Sequence, residues 1–365
     1  AGGGGGGGEA PESSKREKTP KKPKFDPADL HPAILRLGVQ YQNREIIGGN
    51  ARCVAMLAAF KHLIQDYKPA TKDTSGTPSS VGRNDLVLHF KKPIEYLISC
   101  RRLSISMGNA IAGLKHKINA ISDAKEDITL DALKKEVCQY IDMFIFERIV
   151  DADRYITMHG VSRIVDGDAI LTFGRSSAVE MILRNAKEEG KKFSVFVVDS
   201  NPLFEGRPFA HRLATQGIDC TYVLLSAISN IIREVTKVFI GAAAVLTNGS
   251  VYSRIGTASV CLIAHSFHKP VLCCCETYKF TDKAWFNSLT SNEEGDPNQL
   301  IMADDEDCVS DLKDWKSNDS LSIVNMQYDL TPPEYISMLI SEVGMIPPTS
   351  VPVIIREYHL KVGDS

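Results

Sequence analysis

Asp166-Gly167-Asp168-Ala169-Ile170-Leu171-Thr172-Phe173-Gly174-Arg175-Ser176-Ser177 is where the chain changes its rhythm. Upstream, apolar residues recur every three or four positions; downstream, they come in short unbroken runs. Asp166-Gly167 reads as a turn and Ala169–Phe173 as an apolar run of strand length. After it come a glycine joint and two hydroxyls suited to starting a helix. Four more runs follow, Ser194–Val198, Thr221–Leu225, Val238–Ile240 and Val271–Cys275, with successive starts 25, 27, 17 and 33 residues apart. Most of these spacings fit a strand plus a crossover helix, and continuous apolar strands in that rhythm predict a parallel sheet covered on both faces. Near the end, Thr331-Pro332-Pro333-Glu334 is expected to start a helix, since proline is tolerated in a first turn. Val351–Arg356 is expected to add an edge strand. Residues 290–320, with Asp304-Asp305-Glu306-Asp307, read as an acidic surface loop.

Upstream of the change the period is helical. Asn50, after the Gly48-Gly49 breaker, can cap a helix on which Cys53, Met56, Leu57, Phe60, Leu63, Ile64 and Tyr67 share a face. Residues 69–82 are rich in Pro, Ser, Thr and Gly and read as a loop. Two further stripes run from Met107 to Ile121 and from Leu130 to Phe144, continuing past Glu147. They read as core rather than as a cofactor box. The expected organisation is a Gly-rich, basic, disordered tail over 1–27, a helical domain over 28–163, and a Rossmann-like, doubly wound α/β domain over 164–365.

At 365 residues and 43% apolar, the chain is long enough for two cores without disulfides or metals. No stretch reaches the ~18 uninterrupted apolar residues of a membrane span, and no secretory leader is visible. The nine cysteines show no framework spacing and no CxxC pair, as expected of reduced thiols in a cytosolic protein. In Cys273-Cys274-Cys275, neighbours on a strand point to opposite faces and so suit a buried strand, not a metal. The formal charge of −3 divides unevenly: residues 1–24 hold six basic and three acidic side chains, and the remainder 36 basic against 42 acidic. A body of net charge −6 argues against a general grip on nucleic acid. The chain opens without a methionine, as a fragment of something longer would.

Chemistry in such a sheet belongs outside the carboxyl ends of its strands. Three segments fall there. Thr172-Phe173-Gly174-Arg175-Ser176-Ser177 offers amides, hydroxyls and a guanidinium suited to a phosphate. Asp199, opening Asp199–Arg207, stands where a ribose could be held or a loop capped. The third, Thr247–Thr257, contains the Asn248-Gly249 turn, with Thr257 as a cap for the next helix. GxGxxG, the P-loop and GxSxG are absent, and His265 with His268 lacks a carboxylate third ligand. No cofactor or metal is expected.

A series of segments, in order, carries a resemblance. They are His31-Pro32-Ala33-Ile34, Asn50-Ala51-Arg52-Cys53, Leu103–Met107, Asp199–Arg207, Asn248-Gly249-Ser250-Val251, Ile255-Gly256-Thr257, Cys274–Lys279 and Leu330–Glu334. From about residue 26 onward the chain resembles the alpha, beta and delta regulatory-subunit family of eukaryotic translation initiation factor 2B, its delta branch in particular. That family also contains sugar-phosphate isomerases acting on methylthioribose 1-phosphate and ribose 1,5-bisphosphate.

The resemblance implies that two positions separate catalysis from regulation. The isomerases use a cysteine after the first α/β strand and an aspartate in a Gly-Ala-Asp stretch before Asn-Gly. The matching positions here are Gly174 and Ala243, neither of which can carry a proton. The arginine the family often places in the second loop is Asn201. The pocket is then expected to survive as a shape, bounded by Thr172, Gly174, Arg175, Ser176, Asp199, Asn248 and Arg254, and to have lost its reaction. The implied function is that of a non-catalytic regulatory subunit of the exchange factor for initiation factor 2. Its expected partners are alpha-, beta-, gamma- and epsilon-type subunits and the factor itself, whose phosphorylated alpha subunit it senses; no membrane and no specific nucleic acid are implied. Arg83, Asn84, Glu147 and Asp151 are the residues expected at that contact. The alternatives are an active isomerase built around Asp199, and a remnant pocket that binds a sugar phosphate or nucleotide as an effector.

Overall fold

The computed structural model describes residues 25, 29–68, 86–124, 128–285, 292–301 and 312–363. Helices Pro32–Gln42, Gly49–Asp66, Lys91–Cys100, Ile105–Ala124 and Leu130–Ile145 enclose the first core. The stripe read from the sequence is its centre: Cys53, Met56, Leu57, Phe60, Leu63 and Ile64 are all buried on one helix face. The cap differs from expectation. Gly48, with φ at +97°, precedes the helix, and Asn50 lies within its first turn. The Asn50 side chain is not free to cap because it bonds to Glu276 and Tyr278.

The last helix of this half is continuous but not uniform. A π-helical segment, Phe146–Asp151, joins Leu130–Ile145 to Ala152–Val161. Ile149 belongs to the helical core, whereas Ile156 and Val161 pack into the core beneath the sheet. The chain thus passes from one core to the next along a single rod.

The strands are β1 Asp168–Phe173, β2 Phe193–Asp199, β3 Asp219–Leu224, β4 Lys237–Gly241, β5 Ala244–Leu246, β6 Val251–Arg254, β7 Val271–Cys274, β8 Phe280–Thr281, β9 Tyr328–Thr331, β10 Met338–Ser341 and β11 Gly344–Ile346. The five expected runs are β1, β2, β3, β4 and β7. They lie in a seven-stranded sheet of order β11-β10-β7-β4-β1-β2-β3, parallel except at β11. The order reverses direction between β1 and β4, which is the switch point of a doubly wound sheet. A second sheet, β8-β5-β6-β9, was not anticipated. Its β5–β6 hairpin turns at Asn248-Gly249, where Gly249 has φ +80°.

Four further expectations are corrected. Val351–Arg356 is helical, within Val351–Gly363. Its buried residues, Val351 and Ile355, are four apart, while Val353 is exposed, so the period is that of a helix. The outer edge on that side is β11, antiparallel to β10. Thr331–Glu334 ends β9 and makes one 3₁₀ turn at Pro333–Tyr335 rather than a helix. Thr257 does not cap the Thr257–Ser266 helix: its hydroxyl donates to Arg254 O, and the cap is Asp329, whose carboxylate accepts from Gly256 N at 2.7 Å and Ala258 N at 3.0 Å. Finally, residues 290–320 are not all surface loop. Asn292 is buried against Tyr328, while Asp304–Asp307 lie outside the described residues.

Candidate functional site

The switch point is packed shut. Gly174 turns out of β1 with φ at +57°, donating its N–H to Val198 O at 2.8 Å. Ser176 caps the Ser177–Glu188 helix through Val179 N, and its side chain lies so near β4 that a Cβ on Gly241 would collide with it. Asp199 ends β2 as a loop cap. Its carboxylate accepts from Ser200 N at 3.0 Å, Arg207 N at 3.1 Å and Tyr222 OH at 3.2 Å. Burial pushes its pKa above the usual aspartate value, although those donors oppose the shift. Arg254 at the end of β6 is engaged as well, with Nε and Nη2 each 2.8 Å from a Glu205 oxygen. Burial works against the Arg254 charge, but Tyr328 and Glu205 outweigh it and hold its pKa above the ordinary value.

What remains among Gly174, Asp199, Asn201, Glu205, Arg254 and Gln327 is a cavity of about 20 Å³. That is room for about one water, against the ~300 Å³ or more of a ligand pocket. Gly174, Asp199 and Arg254 line it. Thr172 lies in β1, two residues before Gly174, fully buried, its hydroxyl without a hydrogen-bond partner. Arg175 is half exposed and 3.6 Å from Glu180. Asn248 is elsewhere: it is exposed on the β5–β6 turn, where its Oδ1 accepts from Ser250 N. Ala243 borders a different hollow of about 360 Å³, with Arg102, Asn109, Tyr252, Lys283 and Trp285 among its walls.

Arg83 and Asn84 lie outside the described residues. Glu147 and Asp151 are on the π-helical segment, where Glu147 is exposed and Asp151 is 3.5 Å from Arg154. Phe146, 55% exposed, and Val150 add apolar surface beside them.

Two polar clusters join the halves and were not read from the sequence. The first unites Asn50, Asp153, Glu276, Tyr278, Lys279 and Glu342. The Glu276 carboxylate is 2.6 Å from Lys279 Nζ and accepts from Asn50. Tyr278 sits inside the helical core and donates to Asn50 Oδ1 at 2.6 Å. Glu342 accepts from the Thr277 amide and hydroxyl. Burial, then the charge of Glu276, pushes the Asp153 pKa up to about 8. Glu276 itself stays below the usual range, because Lys279 and Asn50 outweigh its burial. The second cluster is a seam of arginines, with Arg52, Arg101 and Arg102 set against residues 292–293 and Arg44 bonded to Gln327 beside them. The adjacent Arg101-Arg102 pair was a visible signal; its partner, 192 positions away, was not. Among the described residues no group of three His, Cys, Asp or Glu side chains could hold a metal ion, and no helix is long and apolar enough to cross a membrane.

Residues 45–348 match the Initiation factor 2 subunit family. The translation initiation factor eIF2B subunit delta of Schizosaccharomyces pombe is 44% identical over 91% of this chain and 70% of its own length. The delta subunit of Dictyostelium discoideum is 42% identical over 91% of this chain, which spans about half (52%) of that relative. The ribose 1,5-bisphosphate isomerase of Thermococcus kodakarensis is 29% identical over 89% of this chain and 94% of its own. Among solved structures, the tetrameric eIF2B-beta2-delta2 complex from C. thermophilum contains a chain that superposes with a TM-score of 0.74 at 30% identity, covering 86% of this chain and 92% of that one.

Proposed function

The chain belongs to the initiation factor 2 subunit family, and on that premise we propose that it is a delta-type, non-catalytic regulatory subunit of the guanine-nucleotide exchange factor for translation initiation factor 2. The observation that carries this reading is the closed switch point. A sugar-phosphate isomerase needs space for its substrate and two groups to move protons between neighbouring carbons. Here the cavity beside Gly174 has room for about one water, the larger hollow at Ala243 is a separate one, and neither Gly174 nor Ala243, the positions matched to those groups, can carry a proton. Asp199 and Arg254 are already committed to loop capping and to Glu205.

In this reading the α/β half pairs with a beta-type subunit, and alpha-, gamma- and epsilon-type subunits complete the complex in the cytosol. The helical half meets the phosphorylated alpha subunit of initiation factor 2, with Arg83, Asn84, Glu147 and Asp151 at the contact. The exposed carboxylate of Glu147 beside Phe146 and Val150 on a π-helical segment supports that placement, since such segments often mark functional sites. Charge reversal, Glu147→Lys, tests it in the reconstituted complex: inhibition of exchange by phosphorylated factor is expected to weaken while basal exchange holds. Unchanged inhibition removes the assignment. The isomerase alternative is tested by incubating the chain with ribose 1,5-bisphosphate; no ketose is expected.

A further inference from the structure

Three arginines of the helical half, Arg52, Arg101 and Arg102, converge on one short segment of the other half, and Arg44 lies beside them with its Nη1 donating to Gln327 Oε1 at 2.9 Å. Arg52 is 2% exposed, and its Nη2 donates to Arg102 O at 2.5 Å. Arg101, 8% exposed, donates from Nε to Glu293 Oε1 at 2.7 Å, and Arg52 Nη1 is 3.9 Å from Glu293 Oε2. Arg102 Nη1 donates to Asn292 O at 2.8 Å. Around a hollow of about 480 Å³, Arg44, Arg101 and Arg102 stand against Glu293, Glu294 and Asp296, three cations to three anions. The acidic segment is braced from behind. Gln327 N donates to Glu293 O at 3.0 Å, Gly295 N to Asn325 O at 2.7 Å, and Asn325 Nδ2 to Asp296 O at 2.8 Å. A Cβ on Gly295 would strike the Gln327 and Asn325 side-chain amides, which would have to shift to admit it.

We propose that residues 292–296 are a built-in acidic strap that masks an arginine site for phosphate-like dianions. Guanidinium forks match the oxygens of a carboxylate or a phosphate alike, and a buried arginine left without an anion nearby is costly. The donor supply exceeds what the strap uses: Arg101 Nη1 and Arg52 Nε are buried without a hydrogen-bond partner. Burial and the neighbouring Arg101 also lower the Arg44 pKa, as expected where cations crowd one another. The Glu293 carboxylate therefore takes the place of an external anion, and at the same time ties the helical half to the strands behind the strap. The inference stands apart from the subunit reading and survives its failure.

The test titrates inorganic phosphate into the full chain at constant ionic strength set by chloride, comparing wild type, Glu293→Ala, and Glu293→Ala combined with Arg101→Ala. Calorimetry and thermal melting are the readouts. Glu293→Ala is expected to melt lower without phosphate, to recover with it, and to bind it at least tenfold more tightly than wild type; the double variant gains nothing. Should Glu293→Ala fail to fold, Glu293→Gln keeps the shape, removes the charge and is expected to show the same gain in smaller measure. Phosphate binding by wild type as tight as by either variant would mean that nothing is masked, and absence of any gain in a folded variant would mean that the arginines are no anion site. Either result overturns the proposal. A phosphoserine peptide in place of phosphate separates a protein-borne dianion from a free one.

Discussion

Replacing Asp153 with asparagine should make the protein progressively more stable, relative to wild type, as the pH rises from about 5 to 8. Asp153 sits with Glu276 and Glu342 around a single cation, Lys279, and its Oδ1 is buried with no hydrogen-bond partner. Three carboxyls against one ammonium cannot all ionise at low cost in that setting. The proton stays on Asp153, whose pKa is raised from 3.8 to about 8 by burial and by Glu276. A carboxyl raised on folding favours the folded state fully only below its unfolded value, and that contribution is lost as pH climbs through the folded value. Between about pH 5 and 8 the native chain holds a proton that the unfolded chain has released. One such proton changes the folding equilibrium about tenfold per pH unit. Asparagine keeps the size and a donor toward Glu276 but does not titrate, so the ratio of its folding constant to that of wild type should grow by that factor and level off above 8. Urea unfolding of both proteins at half-unit steps from pH 5.5 to 8.5, followed by far-UV circular dichroism, measures it. Parallel stability curves over that range would refute the assignment of the proton to Asp153.

Two other outcomes follow from contacts. Asp329→Ala removes the acceptor for Gly256 N and Ala258 N at the start of the Thr257–Ser266 helix; leaving those donors unpaired should cost about 1–3 kcal/mol, read from thermal melts. Tyr278 reaches from the β7–β8 connection into the helical core, where it is fully buried, so Tyr278→Ala should cost about 3–5 kcal/mol and Tyr278→Phe only about 1 kcal/mol through its bond to Asn50.

The parallel sheet was legible because β1, β2, β4 and β7 each centre on a short apolar run, mostly buried in β1, β4 and β7 and partly so in β2, which leaves a one-dimensional trace. β5, β6, β8 and β9 left little: they are two to four residues long, and β6, β8 and β9 mix Tyr, Ser, Arg, Asp or Thr with their apolar positions, while β5 is a bare three-residue Ala-Val-Leu run. Asn248-Gly249 was recognised as a turn, yet the hairpin around it depends on β9 pairing with β6 from about 80 residues away. Val351–Arg356 misled because Val-Pro-Val-Ile-Ile favours a strand by composition, while burial of Val351 and Ile355 on the α/β core makes it a helix. The candidate site divides the same way. Gly174, Asp199 and Asn248 all read as strand-end positions; the first two line one cavity, whereas Asn248 sits on the β5–β6 turn away from it, because the strand before it belongs to the second sheet. That Arg254 is already engaged by Glu205 could not be read from residues 49 positions apart, nor could the arginine seam.

On the proposed reading, this fold serves to hold partners. Native mass spectrometry of the chain co-expressed with a beta-type subunit tests it most directly: an equimolar complex that survives dilution is predicted, and a chain that emerges alone, indifferent to the beta-type subunit, would contradict it.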